Sequence, residues 1–513
     1  MIFWVLYFSA IAYFQISNTI NANAFLNLGL CLFVFIPVPE NLKSKKIINI
    51  IRTLIAYILA ITLLWSESYL PPFKVIWNFF VRPELRPSLS YILNFVNSFF
   101  QIKSLLIVLA IITIALLFKY TKLKKISPAF FAICILILFI TQKTAISKDF
   151  IDRFYAKEAA RSFSISENPQ NNFDVIILQI CSLSWDDLQY ANTDAKSLLR
   201  KFDYVFTNFN SATPYSDPAA LRLLQSGCGQ KTEGELFATA PDKCYLLNNF
   251  RALDYSTYSA WNHDGNYSDF KSIVPKYGKA DQPINISSLK PTELSFDNAP
   301  IYRDGEVLDL WLKQRETSGK KSLLFYNSIS LHTGSSYIDG QKLSEKDEYS
   351  LASKNVFSDL DSFLDKIKAS QRNTIVILLG EHGAAISGSS VQPSTVRDIP
   401  LPSITQVPAA VKIFGPGFNS ENPNKTSIIS DPVSYTALVK IISNVLETNP
   451  QSRQELQNAK VDNNLPLTDL VSESESSIVF QDASGVFYKS KKDKNWNQLP
   501  SSFMVKPANY LAN

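Results

Sequence analysis

The sequence predicts two joined units: an α-helical membrane anchor of about five spans over residues 1–145, and an α/β domain over residues 173–513 with a central, mostly parallel sheet flanked by helices. Three observations predict it. The chain has 513 residues, more than one domain usually holds. Its first 145 residues are dominated by runs of Ile, Leu, Phe and Ala, whereas the rest alternates short apolar stretches with loops rich in Ser, Asn, Asp and Pro. In that second part, nearly continuous apolar runs alternate with amphipathic stretches, the pattern of strands buried on both faces and of the helices that cover them.

The anchor is read from apolar segments at about 2–17, 24–38, 50–66, 103–119 and 127–142, each near the ~20 residues that cross a hydrocarbon core. Lys43, Lys45, Lys46 and Arg52 follow the second segment, and Lys119, Lys122, Lys124 and Lys125 follow the fourth. The positive-inside rule places both loops in the cytoplasm, which puts everything after Lys143 outside. Residues 67–102, with Pro71, Pro72, Trp77, Arg82 and Arg86, suit the headgroup layer, either as the floor of a lipid-access path or as an ordinary interfacial connector. Ala22-Asn23-Ala24 imitates a signal-peptidase site, but no basic stretch precedes it and four further segments follow.

Residues 146–172 are polar and mixed in charge and read as a linker. Strands are expected at 173–180, 321–328, 374–380 and 408–414, helices at 303–316, 345–370 and 432–446, and a closing hairpin from 477–482 and 485–489 around Ala483-Ser484. Open α/β sheets bind ligands at the carboxyl ends of their strands. Cys181 directly follows the first predicted strand, His332 comes after the second, and Glu381-His382 directly follow the third. The net charge of +5 carries no dense basic patch with interleaved aromatics, which argues against a nucleic-acid partner.

The three histidines, His263, His332 and His382, all lie in polar, Gly-containing stretches (WNHDGNY, SLHTGS, GEHGAA) rather than in apolar segments. Cys181, Glu381 and His382 together offer a thiolate, a carboxylate and an imidazole, a set suited to Zn²⁺. Three protein ligands leave a fourth position open for chemistry, although Cys181 also reads as a small core residue. Tyr215-Ser216-Asp217-Pro218 opens a helix that stops near Gly227. At its N-terminus Ser216 would meet an anionic phosphoryl group as a nucleophile; the bland alternative is that it only caps the helix. Cys31 and Cys134 fall in apolar spans, so with Cys181 taken as a ligand, Cys228 and Cys244 remain as the natural pair in an oxidising compartment. Such a bridge would contribute ~3 kcal/mol and hold the end of the Ser216 helix.

The segments CSLSWDDL (181–188), FNSATPYSDPAALRLLQSGCGQ (209–230), SLHTGS (330–335), GEHGAA (380–385) and RDIPLPSIT (397–405) strongly resemble the bacterial cellulose phosphoethanolamine transferases. The resemblance runs in order through the soluble domain and extends to the anchor. It implies an alkaline phosphatase/sulfatase-type fold in the bacterial inner membrane, with a periplasmic catalytic domain. It further implies transfer of phosphoethanolamine from phosphatidylethanolamine to the glucose 6-hydroxyls of cellulose, beside cellulose synthase complex subunits. Position by position, Ser216 matches the family's nucleophile; Cys181, Glu381 and His382, with Ser216 as the reacting group, match its zinc site; and His332, Tyr215 and Arg397 match further catalytic positions. Cys228 and Cys244 match its disulfide, while His263 is left as a substrate-binding or supporting residue. Lipid A and teichoic acid enzymes of the superfamily typically carry Thr at the nucleophile and Glu at the position of Cys181, and this chain departs from both. Other readings are a transferase of phosphoethanolamine or phosphoglycerol to another envelope glycan, a hydrolase of the same fold, and a non-catalytic scaffold of the secretion complex.

Overall fold

The computed structural model describes residues 2–16, 20, 22–37, 45–67, 128–141, 149–316, 319–337, 343–418, 426–492 and 496–504. Four apolar helices come first: α1 (Ile2–Ile16), α2 (Ala24–Phe35), α3 (Lys45–Glu67) and α4 (Pro128–Thr141). Phe8, Ile11, Ala24, Ala60, Phe131 and Leu138 form their shared core. Inside this apolar bundle the Glu67 carboxylate accepts from Asn27 Nδ2 at 2.8 Å and from the Asn23 amide at 3.0 Å, the pairing that a buried charge requires.

Among the described residues only α3, over Lys46–Glu67, is long and apolar enough to cross a membrane; the other three are shorter. Ile47, Ile50, Leu54, Ile58 and Ile61 are exposed along it, a row that water penalises and lipid does not. The predicted segment at 103–119, the interfacial stretch 68–102 and the basic loop Lys119–Lys125 lie outside the described residues.

The second unit is built on strands β1 (Asp174–Ile180), β2 (Tyr204–Asn210), β3 (Ser256–Trp261), β4 (Ser322–Ser328), β5 (Thr374–Gly380), β6 (Gln406–Phe414) and β7 (Ser427–Ile429). They form one sheet in the order β7-β2-β6-β5-β1-β4-β3. It is mixed rather than wholly parallel, because β6 runs antiparallel to both β5 and β2. Residues of β1, β4 and β5 are buried throughout, which is why these strands read as nearly continuous apolar runs. One face carries Phe206, Phe209, Ile377 and Val411 against helix α8 (Tyr435–Thr448); the other carries Ile176, Leu324 and Val376 against α7 (Glu345–Ala369).

Residues 477–490 form the predicted hairpin, with Asp482 opposite Gly485, inside a separate antiparallel sheet that also contains Leu470–Glu473. Part of the stretch read as a linker is helix α5 (Asp149–Ala159). It buries Ile151 and Phe154 among Val471, Phe480, Phe487 and Trp496, so the segment leaving the apolar helices is fastened to the C-terminal sheet.

Candidate metal and nucleophile site

β1 and β5 are parallel with Ile180 opposite Gly380. The next residue of each strand, Cys181 and Glu381, therefore leaves the sheet beside the other. The Glu381 amide donates to the Ile180 carbonyl and the Cys181 amide to Ser328 of β4, both at 2.8 Å, so the ladder holds the two backbones up to the ligand positions. Cys181 Sγ, a Glu381 oxygen and a His382 nitrogen all lie within 4.8 Å of one another, and all three side chains are fully buried. Two glycines permit this turn. A Cβ on Gly380 would come within 2.3 Å of the Leu183 carbonyl, and one on Gly383 within 2.7 Å of Asp187 Oδ2 and Ser184 Oγ. Buried Asp187 clamps the turn by accepting from the Ala384 and Ile386 amides at 2.6 and 3.0 Å.

Ser216 reaches the cluster from the other side, as the first residue of α6 (Ser216–Leu224). The N-cap is Tyr215, with extended φ −131° and ψ 152°, so Ser216 does not serve as the cap. Its Oγ stands 3.4 Å from Cys181 Sγ and 3.2 Å from His382 Nε2. It is only partly buried, and so it forms the accessible corner of an otherwise enclosed group. The Cys228–Cys244 bridge closes just beyond the end of α6.

Left to themselves, the three buried ligands are poorly matched. Burial, and next the Glu381 charge, push the Cys181 thiol up to about 12. Burial also lifts the Glu381 carboxyl to about 7, and together with the Arg397 charge it holds His382 well below the usual imidazole range. Glu381 Oε2 is buried with no hydrogen bond of ordinary geometry among the described residues. A divalent cation would stabilise thiolate and carboxylate together and use that orphaned oxygen, while a neutral imidazole is the form that binds metal. Sulfur, oxygen and nitrogen donors with one further position at Ser216 fit Zn²⁺.

The supporting groups orient these ligands. His382 Nδ1 lies 2.9 Å from the Gly383 carbonyl; donating there leaves the Nε2 lone pair facing Cys181 and Ser216. Arg397 Nη1 lies 3.0 Å from His382 Nδ1, and its guanidinium sits 5.7 Å over the Tyr215 ring, which places both residues beside Ser216. Asn327 was not singled out by the sequence, since it sits as one polar residue inside an apolar strand. Its Nδ2 donates to Glu381 Oε1 at 3.0 Å, while its Oδ1 accepts from His263 Nε2 at 3.1 Å. His263 is buried behind Glu381, the Gly265 amide donates to its Nδ1, and burial lowers it to about 4. Of its two expected roles this position suits support of the ligand. His332 is half-buried, stacks on Phe296 with ring centres 4.9 Å apart, and faces the Thr333 carbonyl through Nδ1 at 2.8 Å. Burial, then the Arg397 charge, lowers it to about 3.

Asn327→Ala is expected to leave the chain folded but to weaken zinc binding by about 10–100-fold, the usual effect of losing a group that orients a ligand. Competition against a metal indicator checks it. Affinity unchanged from the native chain would mean that the Glu381 rotamer is set without Asn327.

A family model described as the cellulose biosynthesis protein BcsG C-terminal domain matches residues 140–496, and one for the BcsG N-terminal domain matches residues 4–140. Over 343 residues the chain is 33% identical to cellulose biosynthesis protein BcsG of Escherichia coli (strain K12), covering 66% of this chain and 60% of that protein. It is 34% identical to its counterpart in Salmonella typhimurium, with the same coverage. The match thus spans 60% of the length of these curated relatives. Among solved structures the chain is similar to a protein in the alkaline phosphatase superfamily from Vibrio parahaemolyticus, at 14% identity and a TM-score of 0.48, covering 70% of this chain and 92% of that one. The zinc complex of the C-terminal periplasmic domain of EptC from Escherichia coli is 15% identical at 0.44, covering 61% and 93%. The integral membrane lipooligosaccharide phosphoethanolamine transferase EptA from Neisseria meningitidis is 11% identical at 0.41, covering 88% and 98%.

Proposed function

Because the chain belongs to the cellulose biosynthesis BcsG family, we propose that it is a zinc-dependent phosphoethanolamine transferase of the bacterial inner membrane. In this reading, residues 1–145 are a multi-pass anchor, 146–172 join it to the enzyme, and 173–513 face the periplasm. The donor is phosphatidylethanolamine, the acceptor is the glucose 6-hydroxyl of cellulose, and subunits of the cellulose synthase complex are neighbours. The observation that carries it is the accessible Ser216 hydroxyl, 3.2–3.4 Å from two buried groups of a metal-ligand trio.

Ser216 Oγ attacks the phosphorus of the donor lipid, diacylglycerol leaves, and a phosphoethanolamine ester forms on the serine. The cellulose hydroxyl then displaces Ser216 and takes the group. Bound Zn²⁺ would supply Lewis acidity, lowering the cost of the serine alkoxide and polarising a phosphoryl oxygen. With His382 Nδ1 carrying its own proton, Arg397 engages only Nη1, toward the Gly383 carbonyl at 3.5 Å, and its other donors hold the non-bridging oxygens. The Tyr215 ring under the guanidinium fixes that orientation. His332, with Nδ1 turned to the Thr333 carbonyl, presents Nε2 to carry the Ser216 proton to the departing diacylglycerol oxygen and, in the second step, the sugar hydroxyl's proton back to Ser216 Oγ.

Membranes carrying the protein, phosphatidylethanolamine labelled in its ethanolamine, and cello-oligosaccharide test this. Label is expected on the sugar and to depend on the sugar. Free phosphoethanolamine in its place would favour a hydrolase or another glycan acceptor; no release from folded, zinc-loaded protein would favour a scaffold and reject the proposal.

A further inference from the structure

Beside His332 lies a pocket lined by Glu293, Ser330, His332, Glu345, Glu348 and Tyr349. Its carboxylates come from two separate elements. Glu345 and Glu348 stand in the first turn of α7, where the positive helix end favours acidic residues, so they have an ordinary reason to be there. Glu293 has none. It lies on the short strand Glu293–Leu294, registered against Tyr337 and Ile301. It is only 9% exposed, and its side chain makes no hydrogen bond or ion pair among the described residues.

The charges around Glu293 make this unusual. Asp304 behind it is satisfied by Tyr326 and Ser330, which donate to it at 2.7 and 2.6 Å, and contributes further negative charge. The Arg303 charge acts on Glu293, but its guanidinium is engaged by Asp359 through Nε at 3.0 Å and Nη2 at 2.9 Å. Ser394 donates to Glu345 at 3.3 Å, which uses only one oxygen of that residue. Burial, and after it the charges of Asp304 and Glu348, lift Glu293 to about 7; burial and Glu345 lift Glu348 to about 7. Natural proteins bury a carboxylate against other carboxylates at a cost, unless a cation completes the group.

We propose that this pocket receives the primary ammonium of the transferred group, with Glu293 as its floor and Glu348 at its wall. The inference rests on the transferase reading above and names what selects its donor. The ammonium of this headgroup lies two carbons from the phosphate ester oxygen, and His332, assigned above to proton transfer at that phosphate, also lines the pocket. Zwitterionic donors with a compact amine are then preferred over donors whose headgroup is neutral.

Two soluble phosphodiesters test it in the full-length, zinc-loaded protein: 4-nitrophenyl 2-aminoethyl phosphate, which carries the ammonium, and 4-nitrophenyl ethyl phosphate, which lacks it. Release of 4-nitrophenolate is followed, and kcat/KM for the first is expected to exceed that for the second by roughly 30-fold or more, the scale of a desolvated charge pair. In Glu293→Gln, and separately in Glu348→Gln, that preference should shrink at least tenfold, chiefly through KM for the amine. Native protein that cleaves both probes with equal KM overturns the ammonium pocket and leaves the transferase standing. Preference retained in both variants, with zinc content intact, also overturns it. Failure to release nitrophenolate from either probe, or release that survives in Ser216→Ala, would reject the transferase reading itself.

Discussion

Ser216→Ala is expected to lower phosphoethanolamine transfer by ~10³-fold or more while leaving the fold intact. The reason is that the hydroxyl has no visible structural duty. Tyr215 is the N-cap of α6, and the helix carries its own first turn, with the Ala219 amide donating to the Tyr215 carbonyl at 3.1 Å. What Ser216 Oγ does touch is Cys181 Sγ and His382 Nε2. Alanine is also a good residue inside a helix, so thermal stability should stay close to native or rise slightly. Donor incubated without acceptor should add one phosphoethanolamine group to the peptide containing Ser216, visible by mass spectrometry, and the variant should show none. Transfer that persists within tenfold of native would remove Ser216 from the reaction.

The second large effect is expected at Cys181. Cys181→Ala removes a ligand, and zinc affinity should fall further than the 10–100-fold typical of a supporting residue. Transfer should fall with it to near background. In the native chain, chelation should abolish activity and added Zn²⁺ restore it. Zinc should also raise the melting temperature of the native chain as its concentration rises, because an ion that binds only the folded state shifts the equilibrium by mass action. In Cys181→Ala that concentration dependence should flatten. A small apolar residue fits the buried site, so misfolding is not the expected cause. If the variant retains zinc at native stoichiometry and activity, the ligand set of Cys181, Glu381 and His382 is wrong.

Much of this site was legible in the chain. β1, β4 and β5 announce themselves as apolar runs, and the residues just past β1 and β5 are the candidate metal ligands that the fold brings within 4.8 Å of one another. β2 was not legible, because Thr207, Asn208 and Asn210 interrupt its apolar pattern. In the fold these polar groups are satisfied: Asn208 Nδ2 donates to the Ser430 carbonyl and Asn210 Nδ2 to the Val471 carbonyl. Helix α5 was hidden for a related reason. Its composition is polar overall, and only the short set Phe150, Ile151, Phe154 and Tyr155 shows the face that the C-terminal sheet covers. Asn327 looked like a flaw in a strand until Glu381 and His263 stood on either side of it.

Local periodicity thus determined the central strands β1, β4, β5 and β6 and the long helices α7 and α8, since burial on one face or two writes itself into neighbouring residues. It also determined which residues sit at strand ends, and hence the candidates for chemistry. The order and register of the strands were decided only by tertiary packing. Pairing Ile180 with Gly380 rather than with a neighbouring residue is what sets Cys181 against Glu381, and that choice depends on side chains 200 residues apart in sequence fitting one another across the sheet. The same packing put the start of α6 over the cluster and left Tyr215 to cap the helix, which turned Ser216 from a capping residue into one facing Cys181 and His382.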